Sequence, residues 1–565
     1  MRRIGWLVAA LVILGAGPES LASQADTSGP PGRVGRVAYL AGGVSLQVSG
    51  DTSWTTATIN YPLSTGDRLY VDQGGRAEIE FGGTTLRLSD ATDATVTDLT
   101  DNLLQVGLAT GTARLTVLAL DAGDSLEIDT PAGPLVITAP GVYRVAISPD
   151  HGTIVAVDHG ALTVGGGADA VPVAEGHAVQ LSGDDTLEVS DVDLPPETDF
   201  DRWAGDRDRG LAASPTAQYV SPETPGYADL DAAGAWEPDE TYGPVWYPAA
   251  VPVGWAPYRY GRWVWTERWG WTWVESEPWG YAPFHYGRWV HLRRGWGWVP
   301  GPVVRRPCYA PALVVFVGVG DAGVQAWFPL GPREPYNPWY HAGDRYRRRV
   351  NGPDIDITVV DIERTRYRNR SLGFTAVSAA TFRGGVPVAR RTVTVRPTVI
   401  QRASIIPHPP LMPTVVAMRG RPAPRPPVAR YVTTVVRPIP IRRAPPPAQP
   451  VRPAQPVVRP VTPGAPLRAR RPAPPPDPSI DARQRAIAGH PGRPLEPQQV
   501  DRLRRGEPAG PQRDHEVPPD RRPAPKPAAA PAPAPKPVMK PAPKPPAPPP
   551  QRPAPQRPAP RPKKP

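Results

Sequence analysis

Residues 254–265 read GWAPYRYGRWVW and residues 280–291 read GYAPFHYGRWVH, two copies of one phrase at an offset of 26. Each copy runs into a Trp-x-Trp-Val, Trp271-Thr272-Trp273-Val274 in the first and Trp296-Gly297-Trp298-Val299 in the second. Ten of the 17 tryptophans fall between Trp255 and Trp298. Trp263 and Trp265 lie two residues apart, as do Trp271 and Trp273, and period two puts each pair on one face of a strand. A turn through Glu267–Gly270 folds the strands back on each other, and Trp289, Trp296 and Trp298 repeat the arrangement. Facing aromatic pairs on neighbouring strands contribute up to ~1 kcal/mol each relative to alanine. Two hairpins of this kind can bury their indoles against one another. The cluster is then the packed centre of a small antiparallel β-domain. Alternatively it is a stacking surface for a ligand, with Trp263, Trp265, Trp271, Trp273, Trp289, Trp296 and Trp298 as the stacking residues.

The polar residues inside the repeats point to no chemistry. Arg262 and Arg288 precede a tryptophan at equivalent positions and fall on the alternate face, where they can still stack on a neighbouring ring. His285 and His291 are replaced by Arg259 and Trp265 in the first copy. A metal site keeps its ligands between copies, so both histidines are expected at the surface. Glu275 and Glu277 flank the aromatics as glycosidase carboxylates would, but they fit an exposed face or turn between hairpins. His-Glu-x-x-His, Gly-x-Ser-x-Gly and the phosphate-binding Gly-x-x-x-x-Gly-Lys-Ser/Thr do not occur. Lysine first occurs at Lys526, so the folded part holds no lysine for a Schiff base. The single cysteine, Cys308, excludes an internal disulfide and is expected buried beside Leu313–Val317. No catalytic residue, cofactor or metal site is expected.

Upstream, residues 33–182 read as short strands between Gly and Asp turns. Ala77, Ile79 and Phe81 alternate with Glu78 and Glu80; Gly82-Gly83 turns the chain; Leu86 and Leu88 alternate with Arg87. That is a hairpin with one buried face. Further strands are expected at Arg114–Leu118, Leu126–Asp129, Leu135–Thr138, Val142–Ile147, Thr153–Val157 and Ala161–Val164, giving a β-sandwich or β-roll. Residues 183–240, with Asp199, Asp201, Asp206 and Asp208, read as a solvated acidic linker; no EF-hand spacing supports a calcium loop. At the start, Arg2-Arg3, the apolar Ile4–Ala16 and small residues up to Ala25 form a secretory signal over 1–25, with an uncleaved anchor as the rival reading. No later segment is long and apolar enough to span a bilayer.

Downstream, residues 241–391 complete the Trp-rich repeat domain, and 392–565 form a basic tail holding 51 of the 83 prolines. Proline lacks the amide donor, so this segment is expected extended or disordered, with brief helices only at Asp481–Ala488 and Glu496–Arg505. Charge divides the same way. Residues 1–400 hold 33 basic and 45 acidic residues, a net of −12; residues 401–565 hold 31 and 8, a net of +23.

The phrases Gly66-Asp67-Arg68-Leu69, Gly74-Gly75-Arg76-Ala77, Thr130-Pro131-Ala132-Gly133, Gly141-Val142-Tyr143-Arg144-Val145 and Glu175-Gly176-His177-Ala178-Val179 follow in an order that resembles a FecR domain, a periplasmic β-domain. Gly141-Val142-Tyr143 departs from that family's Gly-Thr-x-Phe. FecR itself carries a cytoplasmic part acting on a sigma factor, whereas three residues precede Ile4 here. The resemblance implies a fold and a compartment, not the signalling. The stretch from Tyr242 through Trp298-Val299-Pro300-Gly301, with Tyr309–Val314, Trp327–Pro332, Tyr367–Ser371 and Val377–Phe382, resembles the Trp-rich domain of unknown function that follows FecR domains in Gram-negative proteins. It implies architecture and no mechanism.

Together these features describe a mainly β, exported protein of the periplasm or outer envelope of a Gram-negative bacterium. The leading expectation is a non-enzymatic binding or scaffold role, the basic tail contacting anionic polymers such as peptidoglycan, lipopolysaccharide or acidic polysaccharide. Nucleic acid is not an expected partner. The alternatives are a carbohydrate-binding or glycan-acting protein using the tryptophans, and a FecR-like signalling regulator.

Overall fold

The strand Leu103–Val117 runs through two sheets. Its first part lies between Thr92–Leu99 and Ser125–Asp129, its second between Thr84–Leu88 and Gly141–Ser148. Gly111 makes the passage at φ +88°, where an L side chain is strained and a Cβ would run into Thr92. The structure, a computed structural model, describes residues 29–428 (without 149–151, 167–168, 184–185, 322, 354, 356 and 358–361), 433–435, 440–443 and 466–510. All belong to one compact unit, Met1–Gln512. The expected signal segment 1–25, Lys526 and the proline-rich end beyond 510 lie outside the described residues. The fold is mainly β.

In the first sheet the long strand's second part is flanked on one side by Thr84–Leu88, Arg76–Glu80 and Gly35–Ala41, and on the other by Gly141–Ser148, Gly152–His159, His177–Ser182 and Leu187–Val192. In the second sheet its first part is flanked by Thr92–Leu99, Arg68–Val71 and Val44–Gln47, and by Ser125–Asp129, Pro134–Ile137, Ala161–Val164 and Val171–Ala174. Val37, Ile79, Leu115 and Tyr143 from one sheet share a core with Leu46, Leu69, Leu126 and Leu162 from the other. The strands expected from alternation are all present, and the arrangement is a sandwich. The Gly82-Gly83 hairpin pairs Ala77 with Leu88 and Ile79 with Leu86.

The outer face of that hairpin is not solvated, because part of residues 183–240 packs on it. Asp199–Ala212 is a helix, started by a capping box between Thr198 and Asp201. It lies on a cross-strand row in which Glu78 faces Arg87, Arg87 faces Arg114 and Arg114 faces Arg144. Asp201 accepts from Arg144 Nη1 at 2.6 Å, and Asp208 accepts from Arg87 Nη1 at 2.6 Å. Arg87 also donates to Glu78 at 2.6 Å, and Arg207 pairs with the same carboxylate. Two of the four acids, Asp201 and Asp208, thus meet arginines on a sheet, while Asp199 and Asp206 stay exposed and pair with Arg202 and Arg209 of the helix itself.

Beyond the helix, Gly234–Asp239, Gly243–Pro248, Gly295–Val299 and Arg288–Leu292 form a four-stranded sheet, and Gly261–Thr266 with Gly270–Glu275 a separate hairpin. A third sheet orders Thr375–Ser378, Val324–Pro329, Val314–Gly318 and Ser404–Ile406. The last of these strands comes from the segment expected to be an unpacked tail. Thr56 N donates to Arg421 O at 3.1 Å and Ala423 N to Trp54 O at 2.9 Å. Ile441–Arg443 runs parallel to Leu187–Val189, and Leu467 and Ala469 are fully buried. The helices Ile480–Ile487 and Pro497–Arg504 fall where two brief helices were expected. Arg483 donates to Glu267 Oε2 at 2.8 Å and to Ser49 O at 2.6 Å. Enough apolar residues are interspersed among the prolines of 392–510 to bury, and extended edge positions tolerate proline. No helix among the described residues is long and apolar enough to cross a membrane.

Candidate functional site

The repeats build a core. All seven tryptophans proposed for stacking are at most 8% exposed. In the first hairpin Trp263 faces Trp273 and Trp265 faces Trp271, each pair edge-on with centroids 5.4 Å apart. In the second, Trp289 faces Trp298 and His291 faces Trp296. The copies meet at the same position of the phrase: Tyr258 and Phe284 pack edge to face at 4.8 Å, and Tyr258 donates to Phe284 O at 2.8 Å. The hairpins do not simply stack, because Trp327 and Phe316 of the third sheet close over Trp263. The repeated glycine before Arg-Trp has a steric reason. A Cβ on Gly261 would come within 2.7 Å of the Trp273 indole, and one on Gly287 within 2.6 Å of Trp298 Nε1. Three indole donors are spent inside, Trp289 Nε1 on Pro283 O, Trp298 Nε1 on Tyr286 O and Trp273 Nε1 on Glu275 Oε2, each at 2.9 Å, while Nε1 of Trp263, Trp265 and Trp269 is buried without a partner among the described residues.

Several polar residues depart from their expected places. His285 is 1% exposed, stacked against Tyr309, while His291 is at the surface as expected. His285 Nδ1 lies 2.7 Å from Ala310 O; a carbonyl only accepts, so Nδ1 carries the proton and Nε2 is an acceptor. Burial holds the ring neutral, its pKa lowered to about 3. Glu275 is buried rather than exposed, because Gly280 leaves room for it, and desolvation lifts its carboxyl to about 8. Glu277 is half-buried and lends its carbonyl to Asn60. Arg262 donates to Thr58 Oγ1 across to the sandwich. Cys308 is buried as expected, and burial pushes its thiol up to about 12.

Beside the second hairpin lies a cavity of about 400 Å³. Trp298, Val299, Pro302, Val220 and Val350 give it apolar walls, and Arg288, Arg333 and Arg349 are its ionisable cations. Among the described residues that line it there is no carboxylate. Arg349 is paired with Asp101 at 2.7 Å. Arg288, 9% exposed, donates Nε to Glu334 O at 3.3 Å and Nη1 to Gly287 O at 2.8 Å, while Nη2 has no partner. Arg333 is exposed and makes no ion pair among the described residues. Sequence reading marked Arg288 only as a possible ring-stacking cation. Arg333 carried no signal, since seven separate stretches between Tyr219 and Ile355 must fold together before the cavity exists.

Residues 227–334 match a family of unknown function (DUF6600). That span holds both aromatic repeats and the cavity's Arg288 and Arg333. No curated protein matches the chain. Two solved structures of candidate anti-sigma factors from Parabacteroides distasonis are similar to parts of it. The first is 19% identical with a TM-score of 0.18, covering 20% of this chain and 53% of the other. The second is 16% identical with a TM-score of 0.20, covering 32% and 99%. The chain thus spans about half the length of the first of these neighbours.

Proposed function

We propose that this is a non-catalytic, exported envelope protein: a rigid β head whose cationic C-terminal end contacts anionic polymers. The observation that carries the proposal is how the positive charge is distributed. Within 401–510, three arginines pair with the acidic head, Arg419 with Asp51, Arg443 with Asp191 and Arg483 with Glu267, while Arg504 pairs with Asp477 of its own segment. From Arg521 to the end there are 11 basic residues and no acidic one. That surplus suits a polyanion, and the attraction weakens as salt screens it. The resemblance of residues 33–182 to FecR domains and the N-terminal signal support the periplasm or outer envelope as the setting. The sigma-factor contact of FecR forms no part of the proposal.

Co-sedimentation with isolated peptidoglycan and with lipopolysaccharide, at low and high salt, tests it. The full chain is expected to pellet at low salt and a chain ending at Gly510 to remain in solution. Equal behaviour of the two chains would defeat the proposal. Carbohydrate stacking on the tryptophans finds no support, since the seven indoles are interior.

A further inference from the structure

The cavity beside the second hairpin has the make-up of an anion site. Residues 1–400 carry a net charge of −12, yet this cavity has three arginines and, among the described residues, no acid. Arg349 is neutralised by Asp101, but among the described residues no carboxylate forms an ion pair with Arg288 or Arg333. Arg288 feels the Glu334 carboxylate through space without a direct ion pair, and its buried Nη2 has no hydrogen-bond partner among the described residues. Arg288 retains two carbonyl partners, which orient it and do not cancel its charge. Its neighbour on the wall, His285, is held neutral and offers an acceptor nitrogen without a partner. The remaining walls are rings and aliphatic groups with a few neutral polar side chains, among them Ser221, Thr241 and Asn351. The volume, about 400 Å³, falls within the ~300–1,000 Å³ of small-molecule sites.

We infer that this cavity binds an organic anion, a carboxylate or phosphate monoester on an apolar body, with Arg288 and Arg333 holding the charged group and the Trp298–Pro302 wall the apolar part. This site is separate from the polymer contact of the C-terminal end, because both arginines belong to the folded head. Arg333 at the surface makes the first ion pair and Arg288 receives the anion inside. A neutral molecule of the same shape gains the apolar contacts and leaves Arg288 unpaired.

Trp298 lines the cavity, so tryptophan emission reports occupancy. The full chain is titrated with decanoate, decyl phosphate and decanol, with calorimetry as a second readout. One or both anions are expected to bind saturably, and decanol at least ~10-fold more weakly. The tighter of the two anions identifies the headgroup. Arg333→Ala, at an exposed position, is expected to fold normally and weaken binding ~10-fold or more; Arg288→Met is expected to abolish it. Binding that survives both substitutions would belong to the cationic end and overturn the inference. So would equal binding of decanol, or no signal from either anion at millimolar concentration.

Discussion

Asp129 and Glu127 lie side by side in the sandwich, both fully buried, with Gln105 Nε2 donating to Asp129 Oδ2 at 2.9 Å. Burial first, then the charge of Glu127 and a hydrogen bond to it, raise Asp129 to about 9. Both residues alternate with Leu126 and Ile128 and so share the opposite face of the strand. The chain at 467–471 covers that face, Arg470 N donating to Glu127 Oε1 at 2.7 Å. An acid whose folded pKa is raised keeps its proton while the unfolded chain loses it. Its contribution therefore falls as pH climbs from about 4 to about 9 and is flat above. Asp129→Asn imitates the protonated form and is expected to remove that slope. The variant should match the parent near pH 4 and exceed it by on the order of 1–4 kcal/mol at pH 9, read from urea unfolding. Parallel stability profiles for the two proteins would contradict this. Glu78 and Asp201, held down by arginine partners and hydrogen bonds, act in the opposite sense, losing stability as the solution becomes acid. Cys308 gives a simpler check. Its raised pKa and burial should slow thiol labelling by Ellman's reagent on the order of 10²-fold relative to the urea-unfolded chain.

The first hairpin shows what an element-level reading captures. Its strands, turn and indole pairing follow from Trp-x-Trp spacing and appear as expected. Its other face, where Arg262 lies, packs as well. Val264 and Val274 alternate with the tryptophans and pack into the sandwich core, while the indoles fill the aromatic core. The second hairpin has the same alternation, yet its Val290 and Val299 join only a small satellite cluster with Val245 and Tyr247. Sequence similarity between the copies could not reveal that asymmetry, since it depends on what lies behind each hairpin. Trp273→Ala should cost ~3–5 kcal/mol. Near-UV circular dichroism and strand signals are expected to be lost in one transition, because the altered hairpin walls both cores. The helix Asp199–Ala212 was hidden for a related reason. Its acids were visible, but their partners Arg87 and Arg144 lie about a hundred and about fifty residues away and on different strands.

At the scale of the whole molecule, composition distinguished the proline-rich segment and misjudged how much of it packs. The helices at 480 and 497 were legible from local pattern. Strand addition at 404–406 and 441–443 was not, because an edge strand draws its hydrogen bonds from a distant partner. Residues 466–510 hold the fully buried Leu467 and Ala469 and the Arg483–Glu267 pair. A chain ending at Gly510 is expected to keep the parent melting temperature, whereas one ending at Val428 should melt lower by ~5 °C or more. Equal melting of all three would show that the segment adds nothing to the head. The hairpin common to both cores has a consequence for how such a gene can evolve. Residues 29–192 could not be borrowed intact by recombination: the fragment would carry a bare apolar scar where Val264 and Val274 had docked, inviting aggregation. Separation at that seam would strip Val264 and Val274 from the sandwich core and expose apolar surface on both sides.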